Sequence, residues 1–285
     1  MAIAKRYFFI REINILYKDV KEGQGMYDMH CHILPEVDDG ASSLEEAVEM
    51  VIMAKENGIN AIFATPHYIE GEEYKDYSYN SVILERLNNE LSSIGIDIKI
   101  YIGCEVHLTP NILELLDKGQ IGTLNNSHYL LIELPMFDIP IYTETMVYNL
   151  KLKGITPIIA HPERNTKIIE NPNILYELIK KGALTQINLP SLLELYGRDA
   201  RKAAEILLKQ DMIHFAGTDA HSASRKYYRV TEAVARLKEL IGEGKSLKIL
   251  KHNPQAVIKG SNIKIPEPSL YRREGKIKKF LSSLI

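Results

Sequence analysis

From Met26 onward, short apolar runs alternate with longer stretches in which apolar residues recur every three or four positions. The runs predict strands over 27–32, 59–65, 97–105, 128–134, 156–160, 184–188 and 212–217. The amphipathic stretches predict helices near 43–57, 78–93, 110–118, 141–153, 172–181, 197–210 and 225–241. Ser42 or Ser43 can cap the first helix, and Glu45 and Glu46 suit its N-terminal turn. Gly58, Gly95, Gly154 and Gly182 stand where helices should stop. Strand–helix units in unbroken succession imply a parallel α/β arrangement. One closed or nearly closed seven-stranded barrel over 26–262 is therefore expected rather than two domains. An open doubly wound sheet is the runner-up, but no G-x-G-x-x-G follows a strand.

Both ends depart from this rhythm. Residues 1–25 hold the apolar stretch Tyr7-Phe8-Phe9-Ile10, which is too short and lacks the cleavage site of a secretory signal. They end in Lys21-Glu22-Gly23-Gln24-Gly25, whose codons can resemble a ribosome-binding site. Met26 is therefore expected to be the natural start; the competing expectation is a genuine amphipathic arm. The tail 263–285 is basic, with Arg272, Arg273, Lys276, Lys278 and Lys279 beside Leu270, Ile277, Phe280 and Leu281. It is expected to be a solvated end, with peripheral contact to a membrane surface as the sharper reading.

Composition narrows the class. The 285 residues are 45% hydrophobic and 25% charged, as in ordinary globular proteins. A net charge of −2 supplies no field that would gather nucleic acid, and no nucleic-acid partner is expected. No run of 18 apolar residues is present. Two cysteines, Cys31 and Cys104, are too few for a disulfide scaffold and point to a reducing, cytoplasmic setting. Neither opens a C-x5-R loop, because Val37 and Pro110 stand where the arginine would be, which argues against thiol-based phosphatase chemistry.

The candidate chemistry lies at the strand ends. In Tyr27-Asp28-Met29-His30-Cys31-His32, strand alternation turns His30 and His32 to one face and Cys31 to the other. Two imidazoles on one face can grip a divalent ion. Asp38 and Asp39 follow in the next loop, where Asp-Asp-Gly also reads as turn chemistry. His67, Glu105, Glu133 and His161 fall at the ends of the next four strands, and Asp219 and His221 follow the last. In a barrel these ends converge on one mouth. Mixed imidazole and carboxylate donors suit manganese, zinc or iron, and nine ligands are enough for two or three ions. His107, His128, His214 and His252 lie outside this ring or lack a partner, His107 least clearly. Arg164 and Arg225 follow ligand positions, and guanidinium forks match phosphate oxygens. A metal cluster flanked by arginines favours a phosphate ester substrate.

The segments DMHCHILPEVDDG, ATPHYIEG, GCEVHLTP, YLLIELP, IIAHPERN, TQINLPS and GTDAHS carry a resemblance. In this order and spacing the chain resembles the polymerase and histidinol phosphatase (PHP) superfamily. More closely it resembles its CpsB/CapC-like branch, the manganese-dependent protein-tyrosine phosphatases of bacterial capsule and exopolysaccharide systems. The resemblance covers about residues 26–260 and implies a distorted seven-stranded PHP-type barrel holding three Mn2+ ions. It implies that His30, His32, Glu105 and Asp219 hold one ion. Glu105, Glu133 and His161 would hold a second, with Glu105 bridging, and Asp39, His67 and His221 a third. Arg164 matches the family arginine; the spacing to Arg225 varies between relatives.

The implied reaction is hydrolysis of phosphotyrosine on the tail of a membrane-associated bacterial tyrosine kinase, at the inner face of the membrane. The tyrosines of the 66–79 loop would shape an aromatic-binding mouth. Asp39 and Glu133 favour this branch, since other PHP enzymes often carry histidine at such positions. The alternatives are a small-molecule phosphatase such as histidinol phosphatase, a nuclease-like PHP enzyme, or a non-catalytic metal-binding regulator. Symmetric self-assembly is left open.

Overall fold

The structure, a computed structural model, describes residues 25–224 and 227–272. Among these residues are nine strands: β1 Met26–Cys31, β2 Ile59–Ala64, β3 His67–Tyr68, β4 Lys99–Ile102, β5 Glu105–His107, β6 Tyr129–Glu133, β7 Thr156–Ala160, β8 Leu184–Asn188 and β9 Phe215–Gly217. Every pairing is parallel, in one sheet of order β1-β2-β4 and one of order β3-β5-β6-β7-β8-β9. Where one sheet of seven strands was expected, two sheets stand, parting between β2 and β3 and between β4 and β5; β3 lies just past the expected strand 59–65, and the second gap falls inside the expected strand 97–105. Pro66 lies at the first break and has no N–H for a ladder; its carbonyl accepts from the Glu105 N–H at 3.0 Å. Gly103 lies at the second, where a Cβ would stand 2.6 Å from Leu124 Cδ2. At the far edge a bridge joins Cys31 to Ala220, and the His32 N–H donates to the Ala220 carbonyl at 2.9 Å.

The helices between strands are α1 Leu44–Glu56, α2 Tyr77–Ser93, α3 Ile112–Asp117, α4 Thr143–Leu152, α5 Thr166–Glu170, α6 Asn173–Lys180, α7 Arg198–Lys209 and α8 Val230–Ile241. All seven expected helices are present; α5 was not expected, nor were α9 Glu243–Leu247 and α10 Asn253–Ile258. Ser43 caps α1, its hydroxyl accepting from the Glu46 N–H at 3.2 Å. None of the described helices is long and apolar enough to cross a membrane.

The main core lies between helices and strands. A second cluster gathers Met29, Phe63, Tyr129, Leu131, Ile158, Leu184 and Phe215 from strands of both sheets. Buried faces on both sides explain why the strands read as apolar runs rather than alternations.

The expectation of a solvated tail needs correction for its first part. Ile263 and Ile265 pack on the second cluster. The Tyr271 N–H donates to Asn173 Oδ1 at 2.8 Å, and Asn173 Nδ2 returns a hydrogen bond to the Tyr271 carbonyl at 3.0 Å. Ser269 N–H donates to the Gln210 carbonyl. Residues 1–24, 273–285 and Arg225 with its neighbour 226 lie outside the described residues.

Candidate metal centre

His30 lies in β1 and His32 just beyond it, and both are fully buried. Their Nε2 atoms stand 3.0 Å apart. The far nitrogen of each ring is committed. His30 Nδ1 lies 3.0 Å from Gln186 Oε1, and His32 Nδ1 lies 2.7 Å from Asp38 Oδ2. Gln186 presents its oxygen there because its Nε2 donates to the Ile187 carbonyl and to Asn188 Oδ1. Both Nδ1 atoms are therefore the N–H donors, and the two Nε2 lone pairs face each other. Such an arrangement is repulsive unless a cation or shared protons lie between them. Pinning the outer nitrogen by a carboxylate or carbonyl is the usual support of a metal-ligating histidine.

Close glycine contacts let this edge form. A Cβ on Gly217 would lie 2.6 Å from His30 Cβ, and one on Gly40 would lie 2.1 Å from the His32 carbonyl oxygen. Asp28, also on β1, ties the edge to β9: its Oδ1 accepts from the Thr218 N–H at 2.8 Å and the His30 N–H at 3.2 Å. Burial pushes the Asp28 carboxyl up to about 6.

Glu105, the first residue of β5 rather than the end of an unbroken strand, is the hub. Its Oε2 stands 3.1 Å from His30 Nε2, 3.4 Å from His32 Nε2 and 3.0 Å from His67 Nδ1. Its Oε1 lies 3.0 Å from His161 Nε2. Glu105 Oε2 is buried and makes no well-formed hydrogen bond, although nitrogens surround it. An anionic oxygen so placed fits a bridging metal ligand. Glu133 ends β6, and its Oε1 lies 3.7 Å from His161 Nε2. His221 Nδ1 donates to the Asp219 carbonyl at 3.0 Å, leaving Nε2 3.5 Å from Asp39 Oδ1. His67 Nε2 lies 3.6 Å from the same Asp39 oxygen.

The ligand atoms form four overlapping groups, each within 4.8 Å: His32, Asp39, His67 and His221; His30, His32 and Asp219; His30, Glu105 and His161; and His67, Glu105 and Glu133. All nine expected ligands are brought together. The groups do not divide into the three sets that the resemblance implies: His32 also stands with the Asp39 group, and Glu133 groups with His67.

Electrostatics tell the same story. Burial alone would lower His30, but the Glu105 and Asp219 carboxylates push it up to about 9. Burial likewise opposes the shift at Glu105, yet His30, His161 and His32 hold it well below the carboxylate range. The carboxylates thus demand positive charge, which an ion can supply in exchange for protons. Two of the candidate ligands sit at left-handed backbone, His161 at φ 28° and Asp219 at φ 53°. Strain of this kind costs about 1–3 kcal/mol per residue and collects at functional sites.

Arg164 belongs to this centre. Its Nη1 donates to Asp219 Oδ2 at 2.7 Å, and its guanidinium lies 4.3 Å from the centre of the Tyr196 ring. Arg225, the second expected arginine, lies outside the described residues. His107 was set aside in the sequence but stands 3.4 Å from Glu133 Oε2, at the rim. Tyr74 of the 66–79 loop meets the His67 ring edge-on at 6.2 Å. Cys31 and Cys104 pack in the main core, and burial pushes both thiols up. Asp38 proves to be the support of His32, while Asp39 is largely exposed and faces His67 and His221.

Sequence reasoning missed Gln186, Asn188, Tyr196 and Glu163. Asn188 Nδ2 donates to Asp219 Oδ2 at 2.7 Å. Glu163, fully buried, accepts from the Asn188 N–H and the Ser191 hydroxyl. The available signal was two amides, two positions apart, in a strand with no exposed residue.

Comparison with known proteins places this geometry. The family model described as Capsular polysaccharide synthesis, CpsB/CapC, matches residues 26–259. The chain is 37% identical over 217 residues to tyrosine-protein phosphatase YwqE of Bacillus subtilis, covering 76% of this chain and 85% of that protein. It is 30% identical over 241 residues to tyrosine-protein phosphatase CpsB of Streptococcus pneumoniae, covering 82% of this chain and 98% of that one. A chain from the crystal structures of YwqE and CpsB, described as unique metal-dependent tyrosine phosphatases, matches with a TM-score of 0.83 at 35% identity. That match covers 87% of this chain and 100% of the other.

Proposed function

Because the chain belongs to the CpsB/CapC family of capsular polysaccharide synthesis, we infer that it is a metal-dependent protein-tyrosine phosphatase, a phosphoric monoester hydrolase. The observation that carries the metal dependence is the buried His30–His32 pair, with two Nε2 atoms 3.0 Å apart and both outer nitrogens committed. We read the two sheets as one distorted seven-stranded barrel over 26–262. The bridge from Cys31 to Ala220 and the apolar cluster shared by both sheets support that reading.

His30, His32, Glu105 and Asp219 would hold one ion, Glu105, Glu133 and His161 a second, and Asp39, His67 and His221 a third. Manganese is our choice, with zinc and iron suited to the same donors. When bound, the ions supply Lewis acidity and a source of nucleophile at neutral pH.

The chain's own residues do the rest. Arg164 is held by Asp219 on one side and the Tyr196 ring on another, so its plane is fixed before substrate arrives. Its remaining N–H groups can meet the equatorial phosphoryl oxygens as charge spreads over them. Arg225 follows Asp219 and His221 in sequence and is proposed as a second phosphate contact. Water attacks phosphorus in line and the tyrosyl phenolate departs. Its pKa near 10 makes the demand for an acid lighter than for an alkoxide. We further propose that the substrate is the tyrosine-rich tail of a membrane-associated kinase, met at the cytoplasmic face of the membrane, with the basic residues of 263–285 assisting recruitment.

The test, with added Mn2+, is phosphate release from a phosphotyrosyl peptide and from histidinol phosphate, beside mononucleotide release from a dinucleotide. Preference for the peptide is expected. Preference for histidinol phosphate or the dinucleotide would overturn the assignment, as would absence of turnover on all three.

A further inference from the structure

Strand β8 supplies none of the nine candidate ligands, yet its two buried amides connect two of them, His30 and Asp219. Gln186 Oε1 accepts from His30 Nδ1 at 3.0 Å. Gln186 Nε2 donates to Asn188 Oδ1 at 2.9 Å, and Asn188 Nδ2 donates to Asp219 Oδ2 at 2.7 Å. Gln186 and Asn188 are fully buried, as is His30, and Asp219 is nearly so. We propose that Gln186 and Asn188 are positioning residues: a two-amide relay that orients His30 and Asp219 as one unit for metal capture.

The orientation of the relay follows from what each atom can do. Asp219 Oδ2 can only accept, so Asn188 must present its NH2 there and its oxygen to Gln186. Gln186 must then present its NH2 to Asn188, which leaves its oxygen for His30. Only one sense of the chain satisfies every link, and that sense makes His30 Nδ1 the donor and Nε2 the free lone pair. Asp219 Oδ2 is occupied by Asn188 and Arg164, which leaves Oδ1 facing His30 and His32 at 3.4 Å each. Asp219 and the two histidines form one of the candidate cation groups. The relay is fastened below: Glu163 Oε1 accepts from the Asn188 N–H at 2.9 Å. Space is reserved for it as well, since a Cβ on Gly217 would meet Gln186 Nε2 at 3.0 Å and His30 Cβ at 2.6 Å.

A purely packing role for these residues is disfavoured energetically. Burying two amides costs more than burying two leucines unless each polar atom is paired. Here the pairing runs from one presumed ligand to the other, with side branches to the Ile187 carbonyl and to Glu163. Supports of this kind typically govern 10–100-fold in metal affinity.

The inference rests on the reading of His30 and Asp219 as metal ligands, and its test separates the two. The full chain is stripped with chelator and titrated with Mn2+ alone, free Mn2+ being followed by electron paramagnetic resonance. Unmodified protein that takes up no Mn2+ would overturn the metal reading itself. Given uptake, Gln186→Leu and Asn188→Leu are each expected to weaken the affected site by about 10–100-fold. The double variant should lose little more than the worse single variant, because one broken link already releases the unit. Metal-free thermal midpoints report folding independently. If the leucine variants do not fold, Asn188→Asp serves instead: it retains the shape but sets a carboxylate against Asp219, and a comparable loss is expected. Unchanged Mn2+ affinity in folded variants would overturn the relay. So would a double-variant loss equal to the product of the single losses.

Discussion

His214 makes stability depend on pH in a way that can be worked from the structure. The residue is buried, and its Nδ1 accepts from the Thr185 N–H at 3.1 Å. The Thr185 hydroxyl donates to the Met212 carbonyl, so toward Nδ1, 3.0 Å away, it offers only lone pairs. The other nitrogen, Nε2, has no hydrogen-bond partner. A charged imidazolium would be stranded here, and burial pushes His214 down to about 3. The unfolded chain binds that proton near pH 6.5. Between these values the unfolded state holds more protons than the native state, so stability falls as pH falls. Integrating between pH 7 and pH 5 gives about 2 kcal/mol from this residue alone. The figure barely changes if the native value is a unit higher, since the site stays neutral at pH 5 either way. The assay is urea unfolding of metal-free protein at pH 7, 6 and 5, for the unmodified chain and His214→Asn. Asparagine can still accept from the Thr185 N–H, and the other titrating groups are common to both proteins. The unmodified chain is expected to lose about 2 kcal/mol more than the variant on going to pH 5. Equal losses in the two proteins would refute the reasoning.

Arg164→Lys should lower kcat/KM on a phosphotyrosyl peptide by about 10²-fold, as for loss of an aligned charge-stabilising donor, while Mn2+ uptake persists; wild-type kinetics would remove Arg164 from the phosphate site. Gly217→Ala forces a Cβ against the backbone and Cβ of His30 and should cost about 1–3 kcal/mol of stability by overpacking, read as a lowered thermal midpoint; an unshifted midpoint would contradict the close packing. Both cysteines should resist a thiol reagent in native protein and react after unfolding, since both are buried; activity lost on thiol modification of folded protein would point back to cysteine chemistry.

Much of the centre was legible because its candidate ligands are titratable residues at predictable strand ends. His161 and Asp219 could be placed without any knowledge of their left-handed backbone. The helices were legible because period 3.6 is written directly in the apolar spacing, and a glycine with positive φ follows several of them, as at Gly58 and Gly154. The stop at Pro66 was legible, but the short strand β3 that resumes beyond it was not. Nor was the gap at Gly103, where the close approach of Leu124 is a contact with a distant residue that no local pattern encodes. Asp38 and Asp39, neighbours in one loop, were separated by the resemblance and not by local pattern; the fold sets Asp38 against His32 and leaves Asp39 open to His67. The relay on β8 was hidden because amides do not titrate and ordinarily signal turns or surface. The packing of Ile263 and Ile265 was likewise obscured by the basic residues that follow them.

Phosphotyrosine hydrolysis is expected to run on the metal centre built around His30, His32 and Glu105. Its most direct test is to strip the full chain with chelator, restore Mn2+ in measured steps, and follow phosphate release from a phosphotyrosyl peptide beside bound Mn2+. Activity should be absent from stripped protein and rise with bound metal, and His161→Ala should bind less Mn2+ and recover little activity. Full turnover by metal-free protein, or undiminished metal-dependent turnover by His161→Ala, would contradict it.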